Sequence, residues 1–312
     1  MWSLPHFILP AHPGNLLYQP TREVAFSSLE EWFVWDFHES IFLGTVALVV
    51  LYTVGVTHWR KKYKLSDTPV STRQAVTFYG AMVLMYLSLD GPLHHLADEL
   101  SFAMHMVQHL LLQMVWAPLF ILGLPGWLIK PLVQKDWVKR LGRTLTRPLY
   151  ASMLFQGCIW IWHFPPIYEL ALTNHPFHIA EHLLFMATAV IFWWVIFSPI
   201  EETPRPSHGW QMVFLLLNLA PMKALGLIIT VHNELLYTFY SVQPRLWGLT
   251  PIGDQRAGGL LMWVVGGLPL WAALAYVFWH LRRKGEPDKG LTGVPHLDAQ
   301  ILARRQAEEA LG

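Results

Sequence analysis

The chain has 312 residues, of which 54% are apolar and only 14% are Asp, Glu, Lys or Arg, whereas soluble domains carry about 25% charged residues. This composition, with sixteen Trp and seventeen Phe, excludes a soluble protein and is typical of an integral membrane protein. The net charge of +1 excludes a nucleic-acid-binding surface, and the single cysteine, Cys158, excludes disulfides, CxxC redox pairs and iron–sulfur clusters.

Residues 1–39 are predicted to form an outer N-terminal segment. They begin without a basic cluster and contain Pro5 and Pro10, which does not fit a cleaved signal peptide. Residues 27–39 predict an interfacial helix or the start of the first span, because Ser28 and Glu31 have the spacing of a capping box and aromatic residues follow them.

Residues 40–281 are predicted to form a seven-span membrane domain, and residues 282–312 a cytoplasmic tail. A membrane-spanning helix needs about twenty mostly apolar residues. The predicted spans are residues 40–59, 74–89, 102–122, 149–172, 179–197, 211–231 and 257–278. The fold class is therefore all-α, a polytopic bundle of membrane helices.

The basic residues predict the orientation of this bundle. Most of the 22 Lys and Arg residues lie in the connections after the first, third and fifth spans and in the C-terminal tail. Because Lys and Arg concentrate in cytoplasmic loops, we expect the N-terminus outside and the C-terminus in the cytoplasm. Most of the sixteen histidines then lie at or near the outer side.

Two pairs of histidines, each pair four residues apart, lie on neighbouring predicted spans. His105 and His109 are on the third span, and His178 and His182 are at the outer end of the fifth. This spacing places two imidazoles on one helical face, about 6 Å apart along the axis. Because imidazole is the commonest metal ligand in proteins, we predict a metal site where the two pairs converge.

Three further histidines complete the predicted ligand set. His163 lies at the outer end of the fourth span, and His94 and His95 lie in the short outer loop before the third. An alternative is that each HxxxH pair is a hydrogen-bonded packing contact between helices. Ionisable groups inside a membrane indicate function by default, which favours metal ligands.

Sulfur and carboxylate side chains nearby are secondary candidates. Met104 and Met106 would favour Cu(I), but each lies about 100° to one side of His105 on an ideal helix. Glu181 either orients an imidazole through its second nitrogen or is an ordinary interface carboxylate.

Polar residues in the last two spans have structural and functional interpretations. Pro221 leaves the carbonyl four residues before it without its helical hydrogen bond, and Asn218 or Lys223 could donate to that carbonyl instead. A kink stabilised by such a bond is at least as well supported as a functional role. Asp254 and Met262 could add an oxygen or sulfur contact to an outer site, while packing alone explains the two glycines between them.

Four motifs carry a family resemblance: PLHHLADELSFAMHMVQH at 92–109, WHFP at 162–165, HIAEH at 178–182 and DQRAGGLLMW at 254–263. Through them the chain resembles the CtaG-type cytochrome c oxidase assembly factors, a polytopic bacterial membrane family named for the assembly of caa3-type oxidases. The resemblance covers roughly residues 30–285 and implies copper delivery to the binuclear centre of a heme-copper oxidase subunit. Motif matching extends this role to His94, His95, His105, His109, His163, His178 and His182.

We therefore expect a metallochaperone of the bacterial plasma membrane, and not an enzyme. One alternative is a heme b-binding oxidoreductase subunit, although two histidines four residues apart are too close to serve two hemes. Another is a metal transporter, which would need polar ligands through the whole bilayer, where only Asn218 and Lys223 continue. The sequence contains no HExxH motif, so it does not indicate a zinc hydrolase.

Overall fold

The computed structural model describes residues 37–243 and 245–284, together with Trp35 and Ala303. The described residues contain helices and no strand, which confirms the predicted all-helical class. The helix predicted within residues 27–39 and the tail predicted at 282–312 fall almost entirely outside the described residues.

Helices of nine or more residues form the framework of the described chain. They are α1 (Glu39–Val54), α2 (Thr72–Leu89), α3 (Phe102–Gly123), α4 (Asp136–Leu145), α5 (Pro148–Trp162), α6 (Pro165–Thr173), α7 (His175–Phe197), α8 (His208–Val231), α9 (Pro251–Trp263) and α10 (Leu268–Lys284). Shorter α-helical turns are Arg60–Lys62, Pro92–His95 and Gly126–Ile129. The π-helical turns are Gly55–Trp59, Leu96–Leu100 and Leu111–Trp116, and the 3₁₀ turns are Lys130–Val133, Thr238–Val242, Leu246–Gly248 and Val265–Gly267.

Six helical stretches of the described chain are long and apolar enough to cross a membrane. They are Glu39–Lys62, Thr72–Leu100, Phe102–Gly123, His175–Phe197, His208–Val231 and Pro251–Arg282. By length and composition they indicate a membrane protein, whereas the predicted number of seven spans is not confirmed, and the orientation of the termini stays a prediction.

The fourth predicted span, residues 149–172, is not one helix. It divides at His163 into α5, which has 15 residues, and α6, which has nine. The break follows from Pro165 and Pro166, because a proline disfavours the helical conformation of the preceding residue, and Phe164 is extended at ψ 122°. With a rise of 1.5 Å per residue, α5 spans only about 22 Å of a hydrocarbon core of roughly 30 Å.

Helix α3 lies at the centre of the bundle. It packs against α2, α7 and α9, while α5 packs against α7 and α8, α10 against α8, and α1 against α2. Large apolar side chains fill the space between these helices: Phe78, Leu112, Phe155, Phe185, Phe192 and Leu215. The first turns of α3, which carry His105 and His109, are therefore enclosed by neighbouring helices.

The outward faces of the helices are apolar. Large exposed side chains include Leu43 on α1, Val83 on α2, Leu183 on α7 and Leu217 on α8. A soluble monomer rarely exposes contiguous apolar surface on this scale, whereas hydrocarbon chains cover it without cost. These faces are consistent with the six candidate spans.

The two ends of the bundle differ in chemistry. One end contains the basic turn Arg60–Lys62, the start of α5 and the basic helix α4. Helix α4 exposes Trp137 and Leu141 four residues apart, as expected for a helix that lies in the membrane interface. The opposite end contains the starts of α3, α7 and α9 and the end of α5, and it carries the histidines of the predicted site.

Candidate metal centre

The two HxxxH pairs face each other across α3 and α7. His105 Nε2 lies 2.9 Å from His109 Nε2, and the rings of His109 and His182 are 5.3 Å apart between centroids. The His178 and His182 rings are 4.5 Å apart, and all four side chains are buried. The helical spacing read from the sequence therefore brings both pairs into one buried location.

Asp98 lies between the pairs. Its Oδ2 is 3.3 Å from His178 Nδ1 and 3.3 Å from His94 Nε2, and its Oδ1 is 3.9 Å from His105 Nδ1. Asp98 is in the π-helical turn Leu96–Leu100, which is closed by a hydrogen bond from the Ser101 amide to the Leu96 carbonyl of 2.9 Å. The wider turn thus places a carboxylate among three imidazoles.

Gln108, in the second turn of α3, holds the His94 ring in place. Gln108 Nε2 donates to the Ser88 carbonyl at 2.8 Å and to His94 Nδ1 at 3.0 Å. An Nδ1 that accepts leaves the proton of a neutral imidazole on Nε2, where it faces Asp98. In this arrangement His94 supports the carboxylate, and His94 Nε2 can bind a metal ion only after it gives up this proton.

Tyr240 lies within hydrogen-bond distance of His105. Its hydroxyl donates to the Ala97 carbonyl at 3.0 Å and lies 3.2 Å from His105 Nδ1 and 3.1 Å from the Tyr168 hydroxyl. Burial raises the pKa of the Tyr240 phenol well above its ordinary value, which keeps the hydroxyl protonated. A hydroxyl that donates to Ala97 can accept the Nδ1 proton of His105, and in that tautomer the lone pair of His105 Nε2 faces His109.

Three overlapping groups of side chains have ligand atoms within 4.8 Å of one another. The groups are His94, Asp98 and His182; Asp98, His105 and His178; and His105, His109 and Glu181. We call these residues, which are joined through Asp98 and His105, the histidine cluster. The first group contains two half-buried residues, whereas the last is fully buried.

Several polar atoms of the histidine cluster are buried without a hydrogen-bond partner among the described residues. These atoms are Asp98 Oδ1, His109 Nδ1, His178 Nε2, both ring nitrogens of His182 and both carboxylate oxygens of Glu181. A buried polar atom without a partner costs about 1–3 kcal/mol, and more when it is charged. A metal cation would pair with the carboxylates and the free nitrogens, so the residues fit a metal ion.

The spacing of His105 Nε2 and His109 Nε2 also fits a shared ion. Two nitrogens that each lie about 2.0–2.1 Å from one ion are roughly 3 Å apart, close to the observed 2.9 Å. Nitrogen ligands suit copper, zinc, iron and nickel, so the geometry supports a transition metal without selecting one.

His163 and His95 lie outside the three groups. His163 Nδ1 is 2.7 Å from the Ile159 carbonyl, and His163 Nε2 is 3.4 Å from Met106 Sδ. His95 is half-buried, with its Nδ1 3.8 Å from Glu99. The structure thus brings five of the predicted histidines together and places these two beside them.

The secondary candidates have different roles from those expected. Asp254 accepts from Ser101 Oγ at 2.6 Å and from the Phe102 and Ala103 amides at 2.7 and 3.2 Å, so it caps the N-terminus of α3. Met104 packs against a small apolar cluster at the bundle end. Glu181 is fully buried, which excludes an ordinary interface carboxylate.

The polar residues around Pro221 are structural in the described chain. Asn218 Nδ2 donates to the Phe214 carbonyl at 2.8 Å and to Ser152 Oγ at 2.7 Å, and Gln156 Nε2 donates to the Asn218 carbonyl at 3.0 Å. Asn218 thus links α8 to α5, and these bonds do not reach the Leu217 carbonyl that Pro221 leaves without a helical donor, so its satisfaction by Asn218 or Lys223 stays a prediction.

Sequence reasoning missed Asp98 and Tyr240 as parts of the site. Asp98 is four residues after His94 and lies inside the longest motif, so the i, i+4 spacing was an available signal. Tyr240 comes from the turn Thr238–Val242 between α8 and α9, and no spacing relates it to His105.

Half-buried His38 and fully buried Asp90 form a pair that continues the histidine cluster towards the bundle end. His38 Nδ1 is 2.9 Å from Asp90 Oδ1, and the His38 ring is 5.0 Å from that of His94 and 6.4 Å from that of His175. Imidazoles therefore form a continuous series from exposed His175 to the buried groups.

Comparison with known proteins gives a family match over most of the chain. Residues 50–284 match the family described as cytochrome c oxidase caa3 assembly factor (Caa3_CtaG). Uncharacterized proteins of Mycobacterium bovis and Mycobacterium tuberculosis are each 26% identical over 254 residues, 76% of this chain and 38% of the relative. An uncharacterized protein of Mycobacterium leprae is 24% identical over 274 residues, 82% of this chain and 40% of the relative. The matches thus span less than half the length of these curated relatives, and no solved structure matches.

Proposed function

The chain belongs to the cytochrome c oxidase caa3 assembly factor family, and we propose that it is a copper chaperone for a heme-copper oxidase. In this proposal the histidine cluster binds copper near the outer face of a bacterial plasma membrane and passes it to the binuclear centre of the oxidase. The observation that carries the proposal is the set of buried, unpartnered ring nitrogens and carboxylate oxygens between α3 and α7. Copper as cargo is supported by the family and by the nitrogen-rich ligand set.

The overlapping groups suggest how the ion enters. The group of His94, Asp98 and His182 is the least buried, and it shares Asp98 with the next group. That group in turn shares His105 with the fully buried group of His109 and Glu181. An ion can therefore move inwards by exchanging one ligand at a time, without losing all its ligands at once.

The same ligand set supports release. Soft thiolates hold Cu(I) more tightly than imidazoles do, and the only cysteine, Cys158, belongs to none of the three groups. Transfer to the oxidase would proceed by ligand exchange, in which a donor imidazole leaves as an acceptor imidazole binds. Only bonds between the metal and its ligands are made and broken, and no covalent bond of a substrate changes, so we propose a non-enzymatic role.

The geometry favours a metal ion over heme. A porphyrin between α3 and α7 would need an open slot, whereas the His105 ring lies 5.8 Å from the His178 ring and 6.3 Å from the His182 ring. The fully buried Glu181 carboxylate lies within the same space. A metal transporter is also less favoured, because below His109 the cluster is followed by Phe185, whose ring is 4.6 Å away.

Metal analysis of the purified full-length protein tests the proposal. We expect copper to bind to the native protein, and the variant His105→Ala/His109→Ala to lose most of it while still inserting into membranes. The matched control is His58→Ala/His208→Ala, which removes two histidines at the basic end and should leave copper binding unchanged. Equal copper content in the folded cluster variant and the control, or a Soret absorption band in the native protein, would reject the proposal.

A further inference from the structure

A second site lies at the opposite end of the bundle, far from the histidines. A groove of about 1050 Å³ runs between α5 and α8, and its lining includes Leu149, Met153, Phe214 and Leu217. Leu149, Met153 and Leu217 are 67%, 62% and 68% exposed, so the groove opens sideways towards the surrounding membrane. We call it the basic groove, because arginines line one end of it, and we call that end its mouth.

Three arginines line the mouth of the basic groove: Arg143, Arg147 and Arg205. Among the described residues, no Asp or Glu side chain lines the groove, and no carboxylate forms an ion pair with any of the three arginines. Arg143 Nε donates to the Glu202 carbonyl at 2.8 Å, and Arg205 Nε donates to the Ser198 carbonyl at 2.9 Å. These bonds hold the guanidinium groups of Arg143 and Arg205 in place and leave their terminal nitrogens for an anion.

The dimensions of the groove match one leaflet of a bilayer. Along α8 it extends from Trp210 to Pro221, which at 1.5 Å per residue is about 16 Å, or half of a hydrocarbon core of roughly 30 Å. Arg143 belongs to α4 and Arg147 lies between α4 and α5, so an interfacial position of α4 would place these arginines at the level of lipid headgroups. A soluble anion would use the mouth alone, whereas a lipid would use the whole groove.

We propose that the basic groove binds an anionic phospholipid, with its phosphate at the three arginines and an acyl chain between α5 and α8. Basic pockets between membrane helices bind anionic headgroups in this way. The proposal does not depend on copper, because no residue of the groove belongs to the histidine cluster.

Lipid retention measured by native mass spectrometry tests this site. The full-length protein is purified in a nonionic detergent and incubated with phosphatidylglycerol or with phosphatidylcholine of the same chain composition. We expect the native protein to retain phosphatidylglycerol preferentially, and Arg143→Gln/Arg147→Gln/Arg205→Gln to lower this preference at least tenfold, since each arginine near a bilayer contributes about fivefold.

A charge-matched control separates the groove from general attraction. Lys61→Gln/Lys62→Gln/Lys64→Gln removes the same charge from the same end of the bundle and should keep the lipid preference. An equal loss in both triple variants would overturn the proposal, because net charge alone would then explain the binding. An unchanged elution volume in size-exclusion chromatography shows that each variant remains folded.

A variant that fills the groove tests the acyl chain. Leu217→Trp keeps all three arginines and should reduce phosphatidylglycerol retention severalfold, and millimolar inorganic phosphate should not displace the lipid from the native protein. Full retention in Leu217→Trp, or displacement by phosphate, would show that only the headgroup charge binds at the mouth and would reject a lipid groove. If the native protein shows no preference for phosphatidylglycerol over phosphatidylcholine, the proposal is rejected, and another occupant, such as a protein segment, would have to fill the groove.

Discussion

Tyr240 and Tyr237 are two buried tyrosines, three residues apart, whose hydroxyls contact different groups. Variants of the two residues therefore distinguish a role in positioning a metal ligand from a role in packing. Tyr240 lies 3.2 Å from His105 Nδ1, whereas Tyr237 donates to the His163 carbonyl at 3.0 Å. Because a partner that fixes the tautomer of a ligand contributes about 10–100-fold to metal affinity, Tyr240→Phe should weaken copper binding by that factor. Competition with a copper chelator, at equal amounts of folded protein, measures the change.

Tyr237→Phe is the matched control for this prediction. It removes one buried hydroxyl and one hydrogen bond to a backbone carbonyl, and should leave copper affinity within about twofold while costing roughly 1 kcal/mol of stability. Equal copper affinity in the two variants would contradict a positioning role for Tyr240.

At the level of single residues, the sequence predicts the ligands that local spacing determines. The pairs His105/His109 and His178/His182 follow from helical periodicity, which is a local property. Asp254, a secondary candidate for an oxygen contact to the outer site, caps α3, and this role depends on how α9 docks against α3. Contacts between distant segments, such as that of Tyr240, cannot be read from spacing.

At the level of elements, Asp254 connects α9 to the start of the helix that carries His105. Asp254→Ala would leave Ser101 Oγ and the Phe102 and Ala103 amides without their acceptor. We expect a loss of about 2 kcal/mol in the free energy of unfolding, with the copper content per folded molecule unchanged. Thermal unfolding in detergent and metal analysis of the folded fraction give the two quantities. Loss of copper at unchanged stability would instead make Asp254 part of the metal site.

The crossing of α8 and α9 depends on small residues. A methyl group at Gly259 would lie 2.7 Å from the Thr230 amide nitrogen and 2.9 Å from the Gly226 carbonyl oxygen, so the backbones are in direct contact. Gly259→Ala should therefore separate the helices and lower the yield of folded protein, whereas Gly157→Ala, where nothing lies within 4 Å, should be tolerated. Equal yields, measured by size-exclusion chromatography, would contradict this close packing.

The elements also show where periodicity fails as a guide. The apolar pattern predicts α1, α2, α3, α7 and α8 well, since each has a long continuous apolar stretch. It treats residues 149–172 as one span, because hydropathy does not register the backbone restriction imposed by Pro165 and Pro166. The π-helical turn that positions Asp98 differs from an α-helical turn by one residue, and composition does not encode it.

At the scale of the whole molecule, the charge difference between the bundle ends predicts the topology. In a Cys158→Ala background, a cysteine at Lys64 should react with a membrane-impermeant thiol reagent only from the cytoplasmic side, and a cysteine at His95 only from the outside. The opposite pattern would place the histidine cluster on the cytoplasmic side and contradict delivery from the outer face.

The central claim is that the histidine cluster supplies copper to the oxidase, and the copper content per heme of the assembled oxidase tests it most directly. Cells should contain equal amounts of the native chain, of His178→Ala/His182→Ala or of the control His58→Ala/His208→Ala. We predict that the cluster variant leaves the oxidase inserted but deficient in binuclear-centre copper, with partial recovery at high external copper by mass action on the empty site, while the control gives the native ratio. A normal ratio of copper to heme with the cluster variant would contradict the account and leave the histidines a role in packing alone.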